Sequence, residues 1–318
     1  MHHFTALADV PDLGALLETA EAVSRHPHST PALGRHKTLG LIFFNPSLRT
    51  RLSSQRAAHN LGLDVMVLNA GTEGWALEFG DGAIMDGDKA EHIKDAAAVM
   101  GRYCDILGVR TFPGLKDREA DYQEEVLEAF KRYAGVPILS LESATRHPLQ
   151  SLADLITIRM HTPVPKPKVV LTWAPHVRAL PQAVPNSFAE WMNGAAAAGQ
   201  VEFVITHPPG YELAPAFAGS APIVYDQHKA FEGAHVIYAK NWSSYTDYGK
   251  ILIQSREWMV TPDKMALTDQ AKFMHCLPVR RNVVVADAVI DSPASIILDQ
   301  AANRVVSCQA VLQHMLMG

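Results

Sequence analysis

Short apolar runs alternate with segments of helical period along most of the chain. Lys37–Phe44 (KTLGLIFF) reads as a buried strand and Thr50–Leu61 as a helix. Asp64–Leu68 predicts a second strand, followed by a helix over Glu91–Tyr103. Asp105–Val109 predicts a third strand, then a helix over Glu119–Ala134. Val136–Leu141 closes this series, and a helix runs from about His147 to Met160. Strands alternating with helices in this way predict βαβ units and mostly parallel sheets.

The pattern breaks at His161–Lys168 (HTPVPKPK), where three prolines end the preceding helix and suit a linker. The alternation then restarts. Lys168–Thr172, Glu202–Thr206, Pro222–Tyr225, His235–Ala239 and Lys272–His275 are strand candidates, and residues 300–317 read as a closing helix. Two halves of similar size, each with its own sheet, follow. Two stretches resist the pattern. Asn69–Lys89 carries five glycines and several acids, and reads as a long loop. Ala174–Pro185 holds Pro175, Pro181 and Pro185 between a strand and a helix.

Composition narrows the function classes. The 318 residues are 48% hydrophobic and 19% charged, which supports a large buried core. A net charge of −5 argues against a protein that coats nucleic acid or an anionic membrane. No run has the roughly 18–20 apolar residues a membrane span needs, and Met1–Thr5 begins no leader. The three cysteines, Cys104, Cys276 and Cys308, are widely spaced, so neither a disulfide framework nor a zinc site is expected. A cytoplasmic location, no metal and no organic cofactor are the expectations.

In open α/β sheets, ligands bind beyond the carboxyl ends of the strands. Six predicted strands hand over to polar groups at that edge. They lead into Asn45–Arg51, Arg110, Glu142 with His147 and Gln150, His176, Lys240, and His275–Pro278 with Arg280 and Arg281. Ser47-Leu48-Arg49-Thr50-Arg51 joins a strand to a helix start, where free N–H groups and the helix dipole favour an anion. The same dipole disfavours arginine there by roughly 0.3–1 kcal/mol each, so Arg49 and Arg51 make sense against a doubly charged ligand. An ordinary serine cap with surface arginines would fit the same letters. No GxxxxGK[ST] or GxGxxG occurs. His147 and Gln150, three apart, share one helix face and offer uncharged donors to a carbonyl. Taken singly, each of these residues would equally fit a helix cap or a surface charge. Trp75 is either an anchor for its loop or a lid residue.

These residues, in this order and spacing, resemble the aspartate/ornithine transcarbamylases over essentially the whole chain. The family's phosphate motif is Ser-Thr-Arg-Thr-Arg, so Leu48 departs from it and points to the branch acting on N-acylated ornithine. Leu180–Phe188 resembles that branch's proline-rich segment, and the loop that closes over free ornithine elsewhere in the family is missing. The resemblance implies two doubly wound parallel-sheet α/β domains and a trefoil knot in the C-terminal one. Residues 1–150 would bind carbamoyl phosphate, with the helix 300–318 packing back on them, and 151–299 would bind the acylated ornithine.

The resemblance also implies a site. Carbamoyl phosphate would be held by Ser47, Leu48, Arg49, Thr50, Arg110, His147, Gln150, Cys276, Leu277 and Arg304, with Trp75 from a neighbouring subunit of a homotrimer. The chemistry would rest on Arg49, Thr50, Arg110, His147, Gln150 and Cys276. Glu142, His176, Lys240 and Arg280 would bind N-succinylornithine. Acetylornithine enzymes of the branch have a glutamate matching Ala90 and a modified lysine matching Val284. Ala90 leaves room for a succinyl carboxylate, although the succinyl enzymes have proline there. Leu277-Pro278 matches a cis bond of the family. The implied reaction is carbamoyl transfer to the δ-amine of N-succinylornithine in arginine biosynthesis. The alternatives are N-acetylornithine as acceptor and a non-catalytic sensor of carbamoyl phosphate.

Overall fold

The structure is a computed structural model that describes all 318 residues. The chain divides into two compact units. One comprises Met1–Gly114, Glu119–Leu149 and Arg304–Gly318; the other comprises Leu115–Arg118 and Gln150–Asn303.

The first unit is built on a four-stranded parallel sheet. Its strands are β1 (Thr38–Phe43), β2 (Asp64–Asn69), β5 (Ile106–Arg110) and β6 (Ile138–Glu142), in the order β2-β1-β5-β6. Every residue of β5 and β6 is buried, as the unbroken apolar runs predicted. The helices are α1 (Leu13–Arg25), α2 (Arg49–Leu61), α3 (Ile93–Tyr103), α4 (Arg118–Tyr122) and α5 (Glu125–Tyr133). A two-stranded ribbon pairs β3 (Leu77–Glu78) with β4 (Glu91–His92). α1 was not predicted; Asp12 caps it by accepting from the Ala15 amide at 3.0 Å. Phe4 also escaped prediction. Its backbone bonds to Ile138 and Ser140 at 2.9 Å and covers the free edge of β6.

Three segments of this unit differ from the pattern expected of them. The helix expected over Glu119–Ala134 is broken, because Glu124 adopts a left-handed conformation (φ 54°, ψ 37°) between α4 and α5. The helix expected from Glu91 starts at Ile93, since Glu91 and His92 are used in β4. The loop expected over Asn69–Lys89 contains β3.

The second unit has a five-stranded parallel sheet in the order β11-β10-β7-β8-β9. These strands are β7 (Lys168–Trp173), β8 (Glu202–Thr206), β9 (Ile223–Val224), β10 (Val236–Lys240) and β11 (Lys272–Met274). The helices are α7 (Ala183–Ala197), α8 (Pro215–Ala218), α9 (Gln227–Phe231), α10 (Pro262–Met265) and α11 (Asp287–Ile290). α7 takes in the last three residues of the Ala174–Pro185 stretch, because Pro185 sits in its first turn, where a missing N–H costs nothing. Two long helices run on from one unit into the other along the chain: α6 (Pro148–His161) and α12 (Ile297–Met317). Phe231, Ile237 and Phe273 are fully buried at the centre of one core cluster, which also takes in Val284. No helix is long and apolar enough to cross a membrane.

Candidate active site

Parallel register fixes where the functional groups of the first unit stand. Phe43 of β1 is opposite Asn69 of β2 and Arg110 of β5, and Arg110 is opposite Glu142 of β6. The last residues of all four strands therefore form one row at the carboxyl edge. Beyond β1, the chain turns through Asn45–Ser47 into α2. No side chain caps this helix, and its N-cap position is Leu48, 67% exposed. The alternative of an ordinary serine cap is thus ruled out, and no side chain caps the anion-attracting helix end. A cavity of about 200 Å³ lies beside it, lined by Phe44, Asn45, Ser47, Arg51, Asn69 and Thr72 among others. Arg51 donates to Asn69 Oδ1 at 3.3 Å, and Glu73 accepts from the Asn69 backbone and side-chain nitrogens at 2.8 Å each.

Arg110 is buried and held on two sides. Its Nε and Nη2 donate to Glu142 Oε2 at 3.3 and 2.8 Å. Its Nη1 donates to the Asn45 carbonyl at 3.3 Å and to that of Pro46. The guanidinium thus ties β6 to the loop that precedes Ser47. Glu142, expected among the acylornithine ligands, is here the counterion of Arg110.

Arg304, near the middle of α12, donates from Nη2 to Thr50 Oγ1 at 2.5 Å and lies 3.3 Å from His147 Nε2. A guanidinium carries no acceptor. His147 Nε2 must therefore accept, which places the ring proton on Nδ1 and keeps the imidazole neutral. Glu142 Oε2 is 3.8 Å from the same nitrogen, so that approach is not an ion pair. Trp75 is 60% exposed, and its indole N–H donates to Glu91 Oε2 at 2.8 Å. Ala90 is exposed, and its amide donates to the Ala76 carbonyl at 3.2 Å.

In the second unit, Gln150 begins a buried amide–carboxylate chain. Gln150 Nε2 and Gln300 Nε2 donate to Asp154 Oδ1 at 2.8 and 2.7 Å, and the His275 amide donates to Gln300 Oε1 at 2.9 Å. Gln150 is in this way linked to the His275-Cys276-Leu277-Pro278 turn. Leu277 has φ 57°, and the Leu277–Pro278 peptide is cis. Tyr238, fully buried on β10, has its pKa raised by burial and by the nearby Asp154 and Cys276. Neither Asp154 nor Gln300 stood out in the sequence; the (i, i+4) spacing of Gln150 and Asp154 on one helix was the available signal.

Beyond β7 lies a second grouping. Arg280 Nε donates to His176 Nε2 at 3.1 Å, and His176 Nδ1 is 2.9 Å from the Arg178 carbonyl. The Arg178 amide also donates to His176 Nδ1 at 3.1 Å, so the imidazole is held by Arg280 on one side and by the Arg178 backbone on the other. Burial first, and then the charges of Arg280, Lys240 and Arg178, push the His176 pKa below its ordinary value, while the Arg178 bond partly opposes them. Arg280 is bonded to this imidazole, and the charges of Lys240 and Arg178 act on it, a setting that suits anionic groups on a ligand. Arg178 was missed by the sequence reading, since nothing in its local pattern separates it from a surface arginine. Val284, at the position matched to a modified lysine, is a core residue 1% exposed.

Residues 2–160 match the aspartate/ornithine carbamoyltransferase carbamoyl-phosphate-binding domain, and residues 184–315 match the family's Asp/Orn-binding domain. The chain belongs to the aspartate/ornithine carbamoyltransferase family. It is 57% identical over 320 residues to N-succinylornithine carbamoyltransferase of Bacteroides thetaiotaomicron, covering 100% of this chain and 99% of the relative. It is 37% identical to N-acetylornithine carbamoyltransferase of Xanthomonas campestris, covering 95% of this chain and 93% of the relative. One similar solved structure is an N-acetyl-L-ornithine transcarbamylase with a glutamate replaced by alanine, complexed with carbamyl phosphate and N-succinyl-L-norvaline. That structure has a TM-score of 0.92 and 36% identity, covering 99% of this chain and 100% of its own.

Proposed function

We propose that this carbamoyltransferase moves the carbamoyl group of carbamoyl phosphate to the δ-amine of N2-succinyl-L-ornithine, giving N-succinylcitrulline and phosphate. The observation that carries the reading is 57% identity, held over the entire chain, to a Bacteroides N-succinylornithine carbamoyltransferase. Two features of this chain support the acyl group. N-Succinylornithine carries two carboxylates, and Lys240, Arg178 and Arg280 cluster around His176. Ala90, matched by family resemblance to a glutamate of the acetyl enzymes, presents no carboxylate to repel the succinyl group.

The site residues take the following roles. Ser47, Leu48, Arg49, Thr50 and the α2 N-terminus hold the phosphate, with Arg304 buttressing Thr50. Arg110, His147 and Gln150 polarise the carbamoyl carbonyl and stabilise the oxyanion as the amine adds. Cys276 and the Leu277 carbonyl orient the amine. The neutral amine attacks the carbamoyl carbon, the C–O bond to phosphate breaks, and the amine proton leaves with the phosphate. No nucleophile with an adjacent base stands out, so the rate comes from orientation and fixed dipoles rather than a covalent intermediate. His176, Lys240 and Arg280 bind the succinylornithine carboxylates, and Glu142 acts through Arg110.

The same reading makes the enzyme a homotrimer to which Trp75 of one subunit contributes at a neighbour's site. It also implies a knot, in which later chain passes through the connection that leads from β7 into α7 by way of Leu180–Gln182. Ser243 donates to the Leu180 carbonyl at 2.9 Å and Gln182 to the Ser243 carbonyl at 3.1 Å, which brings the two segments side by side.

The test is ureido-product formation from carbamoyl phosphate with N-succinylornithine, N-acetylornithine and ornithine in parallel. Turnover confined to the succinyl compound is the expected result. Preference for the acetyl compound overturns the specificity argument, and absence of product with every amine overturns catalysis.

A further inference from the structure

We propose that Glu124 is a positioning residue for carbamoyl transfer, whose carboxylate clamps the turn that sets His147. The proposal rests on the functional reading above. The turn is Ser143–Arg146, closed by a bond from the Ser143 amide to the Arg146 carbonyl at 2.8 Å. Glu142, the partner of Arg110, precedes it and His147 follows it. Glu124 Oε1 accepts from Ser143 Oγ at 2.7 Å, the Thr145 amide at 2.7 Å and Thr145 Oγ1 at 2.5 Å. Its Oε2 accepts from the Ala144 amide at 3.0 Å. One carboxylate therefore receives four donors from three consecutive residues, all of them buried.

The chain departs from its local preference to achieve this. Residues 119–134 have helical period, yet the helix breaks at Glu124 in the left-handed region that side chains with a Cβ disfavour. Charge-assisted bonds to backbone and hydroxyl donors are the strong kind. They fix the connection between two polarising groups, Arg110 with Glu142 on one side and neutral His147 on the other. Loss of the clamp frees His147 to shift from the Arg304 guanidinium. A displacement of about 1 Å in such a group costs about 100-fold in rate.

The experiment uses the full chain with Glu124→Ala, Glu124→Gln and Thr145→Val. It measures melting temperature, kcat, KM for both substrates, and the side-chain ¹⁵N shifts of His147, assigned with His147→Asn. Glu124→Ala is expected to lower kcat about 100-fold, and Glu124→Gln about tenfold because its oxygen still serves the Oε1 donors. KM for the amine should stay within about threefold, and the His147 signals should lose their fixed Nδ1–H tautomer. The proposal is overturned if Glu124→Gln and Thr145→Val keep kcat within about twofold of wild type with unchanged His147 signals, whatever the melting temperature. Should Glu124→Ala not fold, the other two variants decide. If the wild type transfers no carbamoyl group, the functional reading fails while the ¹⁵N arm still decides the positioning.

Discussion

Replacing Glu142 by glutamine removes one charge and keeps the shape. Arg110 Nη2 lies 2.8 Å from Glu142 Oε2, and the two side chains are 9% and 10% exposed. At that separation and an effective dielectric constant of about 20, the attraction is about 6 kcal/mol before desolvation. Desolvation cancels much of it, and breaking a buried pair by removing one partner costs about 3–5 kcal/mol. The amide oxygen of glutamine still accepts, so the loss sits near the lower end, about 3 kcal/mol. Arg110 has no easy escape to water, because its Nη1 is bonded to the Asn45 and Pro46 carbonyls. Urea unfolding of Glu142→Gln should show that loss, with a melting temperature lower by roughly 6 °C. A double variant, Glu142→Leu with Arg110→Met, should regain stability to within about 1 kcal/mol of wild type. Carbamoyl transfer should fall severely in both, since Arg110 is misplaced in one and gone in the other. A Glu142→Gln protein within about 0.5 kcal/mol of wild type would refute the reasoning that this pair is buried and structurally committed.

Acidification should weaken the fold partly through His207, which is fully buried and has its pKa pushed down by burial. The unfolded chain then binds the extra proton first, so stability is full above the ordinary value of 6.5 and falls as pH drops from there toward the folded pKa. The slope reaches at most about 1.4 kcal/mol per pH unit for this one group; urea titrations at neutral and acid pH should show a shallower dependence in His207→Gln, and an equal or steeper one counts against it. Gly101→Ala should destabilise the first unit, because an added Cβ would stand 1.8 Å from the Ala134 carbonyl oxygen. The helix-propensity gain of about 1 kcal/mol is outweighed by that clash with backbone, and thermal unfolding at or above the wild-type midpoint would contradict it.

Much of the architecture was legible because it is local. Buried parallel strands read as apolar runs, so the strands of both main sheets and the long helices α2, α6 and α12 were anticipated, whereas the four- and five-residue helices α8 to α11 are too short to show a period. Because strands end in polar turns at one edge, Ser47, Arg110, Glu142, His176, Lys240 and Cys276 could be found by looking just beyond each run. α1 was overlooked although Asp12 marks its start, and Ile93 displaced a boundary because Glu91 and His92 pair with β3.

The amino-acid sequence by itself determined the element order, the parallel class of the sheets, and the residues at their carboxyl edge. Tertiary structure alone decided which of those residues hold one another. Arg304 meets Thr50 across 254 positions of chain, and Gln300 meets Asp154 across 146. Glu142 turns to Arg110, and Arg178 joins His176, Lys240 and Arg280. Glu124 leaves its helix to clamp a turn twenty residues on. The reason is physical: periodicity records which face of an element is buried, whereas the partner of a buried charge is set by strand register and chain return, which no local pattern encodes.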